Sequence, residues 1–457
     1  MRKYGIGLLC ILLLSAGAQA QNHSEVYKKR RQALLEKLGR NSVAIFKAAP
    51  MVKRNGDVYF EYRQDSDFYY LTGFEEPEAV LILSKRGIYV RDESRFVHEL
   101  LFLRPRNPQR EIWEGYRLGV KRAKQKLGIE AAQPMEAFDD YLVAILMNTD
   151  TLYIKTERVG LDDPLSPEME LIKKARERLY DFVVRDPGRF LIPMRQRKDE
   201  LELKRLQKAI DITVQAHREA MKACKPGMYE YELEAVIEYV FKKNGSERAG
   251  FPSIVGSGPN SCILHYNTNR RRMETGEVVV IDIGAEYGMY TADITRTIPV
   301  SGKFTRAQRE LYSIVLAAQE AGIAECKIGN DFRAPARAAI RKVVEGLVRL
   351  GFLKGEVDTI LRTRAYRAFL MHGISHYIGL DVHDVGTYRP FQENDIITVE
   401  PGIYISEQTG RLYQIPEEYW NIGIRIEDDI LITRDGPKVL SAGAPRRIED
   451  IEQLMQQ

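Results

Sequence analysis

Cysteine is scarce in this chain, with four in 457 residues, at positions 10, 224, 262 and 326. No two are spaced as metal ligands, so neither a disulfide framework nor a thiolate zinc site is expected, and stability must come mainly from an apolar core. No sign of charge dominates either. The 68 Lys and Arg against 64 Asp and Glu leave a formal +4, which does not demand nucleic acid as a partner. Beyond the first twenty residues no apolar run approaches the roughly 20 residues needed to cross a bilayer, and no low-complexity tract or short-period repeat is present. What the chain does have is 44% hydrophobic content over a length that suggests two or three domains.

The opening segment, MRKYGIGLLCILLLSAGAQA, has a basic start at Arg2 and Lys3, a short apolar stretch, and Ala18-Gln19-Ala20 at its end. Residues 1–20 therefore read as a signal peptide cleaved after Ala20, with the mature protein exported, periplasmic or secreted, and not held at a membrane. Cleavage would remove Arg2 and Lys3, taking the formal charge from +4 to +2.

Residues 24–190 alternate strand-like runs such as SVAIFKAA and AVLILSKRGIYV with the helical run SEVYKKRRQALLEKLG. That pattern predicts a first, smaller α/β domain. The mixed Pro, Gly and charge of RDPGRFLIPMRQRKDE marks a boundary near 190. A second domain, 191–457, opens with a long helix in which Leu203, Leu206, Ile210, Val214 and Met221 share a face. Further helices are expected over YEYELEAVIEYVFKK, from a capping box at Thr305 and Gln308, and over RAPARAAIRKVVEGLVRL. Strands interleave with these helices, so the second domain is α+β.

The chemistry gathers in that second half. VVVIDIGAEYGMYTADITRT reads as two strands joined by a two-residue loop at Tyr287 and Gly288, which would set Asp282 directly opposite Asp293. Like charges facing across a hairpin are destabilising, so a cation between them is expected. Glu400 ends the apolar run DIITV, and Pro401 keeps it extended. In NIGIRIEDDILIT, Arg425 and Glu427 lie two apart on one strand face, where Arg425 would pair Glu427. Buried carboxylates without partners would neutralise, so four of them in apolar strands point to a shared cation. Four of the seven histidines, His265, His372, His376 and His383, fall in the same segment. Asp282, Asp293, His376, Glu400 and Glu427 then form an oxygen-rich set that suits Mn2+, with Zn2+ or Co2+ also able to bind. The expected reaction is metal-assisted hydrolysis.

Asp282, eleven residues, Asp293, then HGISHYIGLDVHDVG, VEPG and GIRIEDD resemble the pita-bread metallopeptidases, most nearly the aminopeptidase P group. YRQDSDFYYLTGFEEPEAVLIL resembles that group's amino-terminal domain, and IVGSGPNSCILHYN its first active-site histidine segment. The resemblance implies a pita-bread catalytic domain and a hydroxide bridging two metal ions. The bond cut would join an N-terminal residue to a following proline. It implies that Asp282 binds one ion, that Asp293 and Glu427 bridge both, and that His376 and Glu400 complete the other. Glu400 would shuttle a proton, His265 and His383 would steady the reacting carbonyl, His372 would line the pocket, and Arg425 would orient the bridging glutamate. Trp113, in EIWEGYR, resembles a residue presented by a neighbouring subunit, which implies a homo-oligomer, dimer or tetramer. Some relatives carry Tyr where this chain has Phe251.

Two other readings share these residues. Prolidase has the same ligands but cuts only Xaa-Pro dipeptides, and a non-catalytic pita-bread binding protein would be expected to have lost ligands. The run Arg270-Arg271-Arg272 is a surface cluster or, as a hypothesis, an attractor for the carboxylate end of short peptides.

Overall fold

The computed structural model describes residues 23–156, 160–179 and 181–457, so the leader lies outside the described residues. The chain divides into two compact units, 1–192 and 193–457. Among the described residues no helix is long and apolar enough to cross a membrane.

The first unit is built on one mixed sheet. Its strands are β1 (Ser42–Lys47), β2 (Val80–Val90), β3 (Arg95–Leu103), β4 (Ala131–Pro134), β5 (Thr151–Ile154) and β6 (Val183–Arg185), in the order β4-β3-β2-β1-β5-β6. β1, β2 and β3 pair antiparallel with one another, while β4 joins β3, β5 joins β1 and β6 joins β5 by parallel pairing, which requires crossovers. Ile45, Ile82, Leu100, Phe102 and Phe138 pack into its core.

The second unit opens on α1 (Glu200–Ala223), started by a reciprocal capping box between Asp199 and Glu202. Leu206, Ile210 and Met221 of its apolar stripe are buried. It packs against α2 (Glu230–Lys243), and α3 (Arg306–Ala324), capped by Thr305 and Gln308, packs against α4 (Ala334–Arg349). Of the small antiparallel sheets among the described residues of this unit, three position the site. They are β7 (Ile254–Ser257) with β8 (Val278–Ile283) and β9 (Ile294–Pro299); β10 (Ile396–Val399) with β13 (Asp428–Thr433) and β14 (Gly436–Val439); and β11 (Gly402–Ile405) with β12 (Ile422–Arg425). Short strands that end early matter here, because the acidic residues sit at or just past their ends.

The hairpin register differs from the sequence expectation. Asp282 pairs with Thr295, and Tyr287 with Tyr290, so the turn is Gly288-Met289 rather than Tyr287-Gly288. Gly288 has φ 57° and Met289 φ 71°, the two positive values a tight hairpin turn of this hand requires. Apolar Met289 is an unusual occupant, and its burial holds it there. The one-residue shift moves Asp293 from directly opposite Asp282 to a diagonal position, two residues before Thr295 and so on the same face. Glu427 also lies off the strand expected for it, in the break between β12 and β13.

Candidate active site

All five acidic and imidazole candidates line one cavity of about 340 Å3, together with His265, His372, His383, Arg425 and Phe251. Asp282 comes from β8 and Asp293 from just before β9. Glu400 follows β10, Glu427 precedes β13, and the histidines come from two irregular segments. His376 Nε2 stands 3.4 Å from Asp293 Oδ2, 3.6 Å from Glu400 Oε1 and 3.8 Å from Glu427 Oε1. Its other nitrogen, Nδ1, is 3.0 Å from the Tyr377 carbonyl oxygen. A carbonyl only accepts, so Nδ1 carries the proton and Nε2 offers its lone pair to the carboxylates. Burial holds the imidazole neutral by pushing it down to about 4.

A neutral imidazole lone pair aimed at three carboxylates needs an electrophile between them. The carboxylates report the same deficit. Burial, then the charges of Glu427 and Asp282, push Asp293 well above the ordinary range. Burial and Asp282 push Glu427 up to about 8, and burial and Glu427 raise Glu400. Asp282 Oδ1 and Glu427 Oε1 are buried without a hydrogen-bond donor among the described residues. Ligand atoms of Asp293, His376 and Glu427 fall within 4.8 Å of one another, a span that fits a metal ion.

The surrounding contacts correct two expectations. Arg425 does not pair Glu427; its Nη2 donates to Asp282 Oδ2 at 2.7 Å and to the Leu264 carbonyl at 3.2 Å. The strand break redirects Glu427, whose Oε2 accepts from Thr295 Oγ1 at 2.8 Å. Among the three consecutive arginines, Arg271 is taken by Glu277 at 2.6 Å through both terminal nitrogens, Arg272 donates to the Gly227 carbonyl, and Arg270 lies over the Tyr231 ring. None lines the cavity, so they are no carboxylate receptor for a peptide in it.

Residues absent from the sequence reading join the site. Tyr404 OH lies 2.8 Å from His372 Nε2 and accepts from Arg425 Nη1 at 2.9 Å, linking the two. Asp429 Oδ2 accepts from the Asp293 backbone at 3.2 Å. Thr295 was findable, since it alternates onto the face of Asp293, but Tyr404 carries no local signal. The rings of His376 and His383 lie 4.3 Å apart, and His265 and His383, both exposed residues, line the cavity. Trp113 belongs to the other unit, on a helix Pro108–Glu114 that buries none of its side chains there.

Comparison with known proteins decides the family. Residues 204–434 match the model for metallopeptidase family M24, and residues 27–153 match that for the aminopeptidase P N-terminal domain. The chain belongs to metallopeptidase family M24. This M24 chain is 42% identical to the Xaa-Pro aminopeptidase of Escherichia coli, over 94% of its own length and 97% of that protein. Two solved structures are similar to it. The Pseudomonas aeruginosa aminopeptidase PepP matches with TM-score 0.86 and 37% identity, over 95% of this chain and 98% of that one. An Escherichia coli aminopeptidase P holding the inhibitor Pro-Leu matches with TM-score 0.86 and 40% identity, over 95% and 98%. The M24 match places the pita-bread fold on the unit that carries the cavity.

Proposed function

We infer that the chain is a dinuclear metal-dependent Xaa-Pro aminopeptidase that hydrolyses the bond between an N-terminal residue and a following proline. The observation that carries this reading is the convergence of Asp293, Glu400 and Glu427 on the His376 lone pair, with Asp282 on the same cavity wall and two buried oxygens unpartnered. It is supported by 42% identity to an Xaa-Pro aminopeptidase over nearly the whole chain. The five residues would hold two divalent ions, Mn2+ being the one this oxygen-rich set suits best. When bound, such ions acidify a water and polarise the scissile carbonyl.

The chain's own groups do the rest. Glu400, on the cavity wall, takes a proton and returns it to the departing proline nitrogen. His265 and His383, on the cavity wall, donate to the charge developing on the carbonyl oxygen. Arg425 orients Asp282, and His372, tied to Tyr404, lines the pocket. Trp113, 88% exposed beside Ile112 and Tyr116, fits a contact between copies, so the working form is a homo-oligomer. The leader places it outside the cytoplasm, and the exported protein is expected to begin at Gln21 on N-terminal sequencing; a mature chain still starting at Met1 would reject this.

The Mn2+-loaded protein is expected to cut Xaa-Pro-Yaa well, Xaa-Ala-Yaa poorly, and neither after chelation. Cleavage confined to Xaa-Pro dipeptides would make it a prolidase. No cleavage by folded, metal-loaded protein would favour a binding role.

A further inference from the structure

His265 sits on a part of the chain that secondary structure does not hold. Residues 263–271 form neither helix nor strand, yet a catalytic donor must be placed to within about 0.5 Å. One buried carboxylate supplies the missing restraint. Glu230, the first residue of α2, is fully buried. Its Oε1 accepts from the Ser257 backbone at 2.8 Å, from Ser257 Oγ at 2.8 Å and from Asn260 Nδ2 at 3.1 Å. Its Oε2 accepts from Tyr266 OH at 2.7 Å and from the Arg271 backbone at 2.8 Å. All five donors lie on the stretch 257–271 that contains His265, and one belongs to its immediate neighbour.

The five donors are neutral groups, and the Arg271 guanidinium acts on the carboxylate from beside them, donating to Ser257 Oγ at 3.0 Å. Hydrogen bonds to an ionised acceptor are roughly twice as strong as neutral ones and are short and directional, which makes this a restraint on position. Two positions inside the stretch are pinned separately. Asn269 accepts from the Val255 backbone and donates to the Ser253 carbonyl, and the Leu264 carbonyl accepts from Arg425. Glu230 gathers both ends, Ser257 and Arg271, with Asn260 and Tyr266 between them.

We infer that Glu230 is a positioning residue for the reaction: through Tyr266 and the Ser257–Arg271 stretch it sets where the His265 imidazole stands over the cavity. The inference rests on the catalytic reading of His265. A displacement of about 1 Å in a reacting group costs on the order of 10²-fold. Glu230→Gln, which keeps the shape but sets an amide against donors, is therefore expected to lower kcat on Xaa-Pro-Yaa by about that factor, with KM and bound metal unchanged. Tyr266→Phe removes two hydrogen bonds from a half-buried ring, the one donated to Glu230 Oε2 and the one accepted from the Arg270 backbone at 3.2 Å, and is expected to lose about 10-fold, again in kcat.

A double-mutant cycle with His265→Ala tests it. If Glu230 acts through His265, then neither Glu230→Gln nor Tyr266→Phe lowers activity further once His265 is gone. Losses that multiply, full activity in both single variants, or loss of bound metal in Tyr266→Phe would each overturn the inference. Should Glu230→Gln fail to fold, Tyr266→Phe carries the cycle alone. A fully active His265→Ala would instead reject the catalytic role of His265, so the two failures are distinguishable.

Discussion

Asp293→Asn is expected to abolish peptide cleavage and metal uptake while raising the melting temperature of the metal-free protein. The two effects have one cause. Asp293 is buried among Glu427, Asp282, Asp429 and Glu400, and burial followed by those charges holds its carboxyl far above the ordinary range. An unfolded aspartate ionises freely near 4. The metal-free native state therefore holds this proton more tightly than the unfolded chain does, and above the ordinary aspartate range that costs stability. Asparagine has the same shape and no proton to retain. A gain of about 1 kcal/mol corresponds to roughly 2–4 °C in a unit of this size. The loss of activity should exceed the roughly 10–100-fold typical of losing a residue that only supports a ligand.

The pH dependence follows from the same groups. In metal-free protein Glu427 is raised from the ordinary glutamate range to about 8. Between those values the native state binds more protons than the unfolded state, so stability falls as pH rises through the window, by about 1.4 kcal/mol per pH unit for each such proton. Metal addition is expected to reverse the fall and release protons, measurable in weakly buffered solution. A metal-free Asp293→Asn protein that melts no higher than its parent, or one that still binds metal, would contradict this account.

Asp428→Ala should have the opposite sign, destabilising the catalytic unit by about 3–5 kcal/mol. Asp428 and Arg296 are both fully buried, and Arg296 Nη2 donates to Asp428 Oδ1 at 2.7 Å. The other carboxylate oxygen accepts from Gln319 Nε2 and Arg446 Nη1, and Ser441 Oγ adds a short bond to Oδ1. Burial pushes Asp428 up, but Arg296 and Arg446 with Ser441 overcome it and hold the carboxyl below the ordinary range. A depressed carboxyl gives stability above its unfolded pKa and loses it as pH falls through the folded value, so this contribution persists at neutral pH and fails only in strong acid. Removing the carboxylate leaves the Arg296 charge buried and uncompensated. Because Arg296 also donates to the carbonyls of Thr295 and Glu427, activity should fall with stability. Scanning calorimetry is expected to show the catalytic unit melting about 6–20 °C lower. Melting within a degree or so of the parent would show that the pair is not the anchor its geometry suggests.

Much of the fold is local and was readable. The capping signals at Asp199 and Thr305, the 3.6-residue stripe of α1 and the glycine-punctuated hairpin act through neighbours a few residues apart, so sequence alone specifies them. The five residues around the cavity were readable for another local reason: carboxylates at the ends of apolar runs are expensive to bury alone, wherever the chain takes them. What the amino-acid order left undecided was partnership. Met289 rather than Tyr287 took a turn position because tertiary packing covers its side chain, and that single step turned a facing aspartate pair into a diagonal one. Glu427, Asp428 and Asp429 read as one acidic run. Yet the fold gives Asp428 two arginines and leaves its neighbours raised by burial and mutual repulsion. Arg425 turned from Glu427, two residues away, to Asp282, 143 positions distant. Charge and hydropathy are properties of a residue, and the sequence states them; the sign of an electrostatic energy belongs to a pair, and only the folded chain brings the pair together.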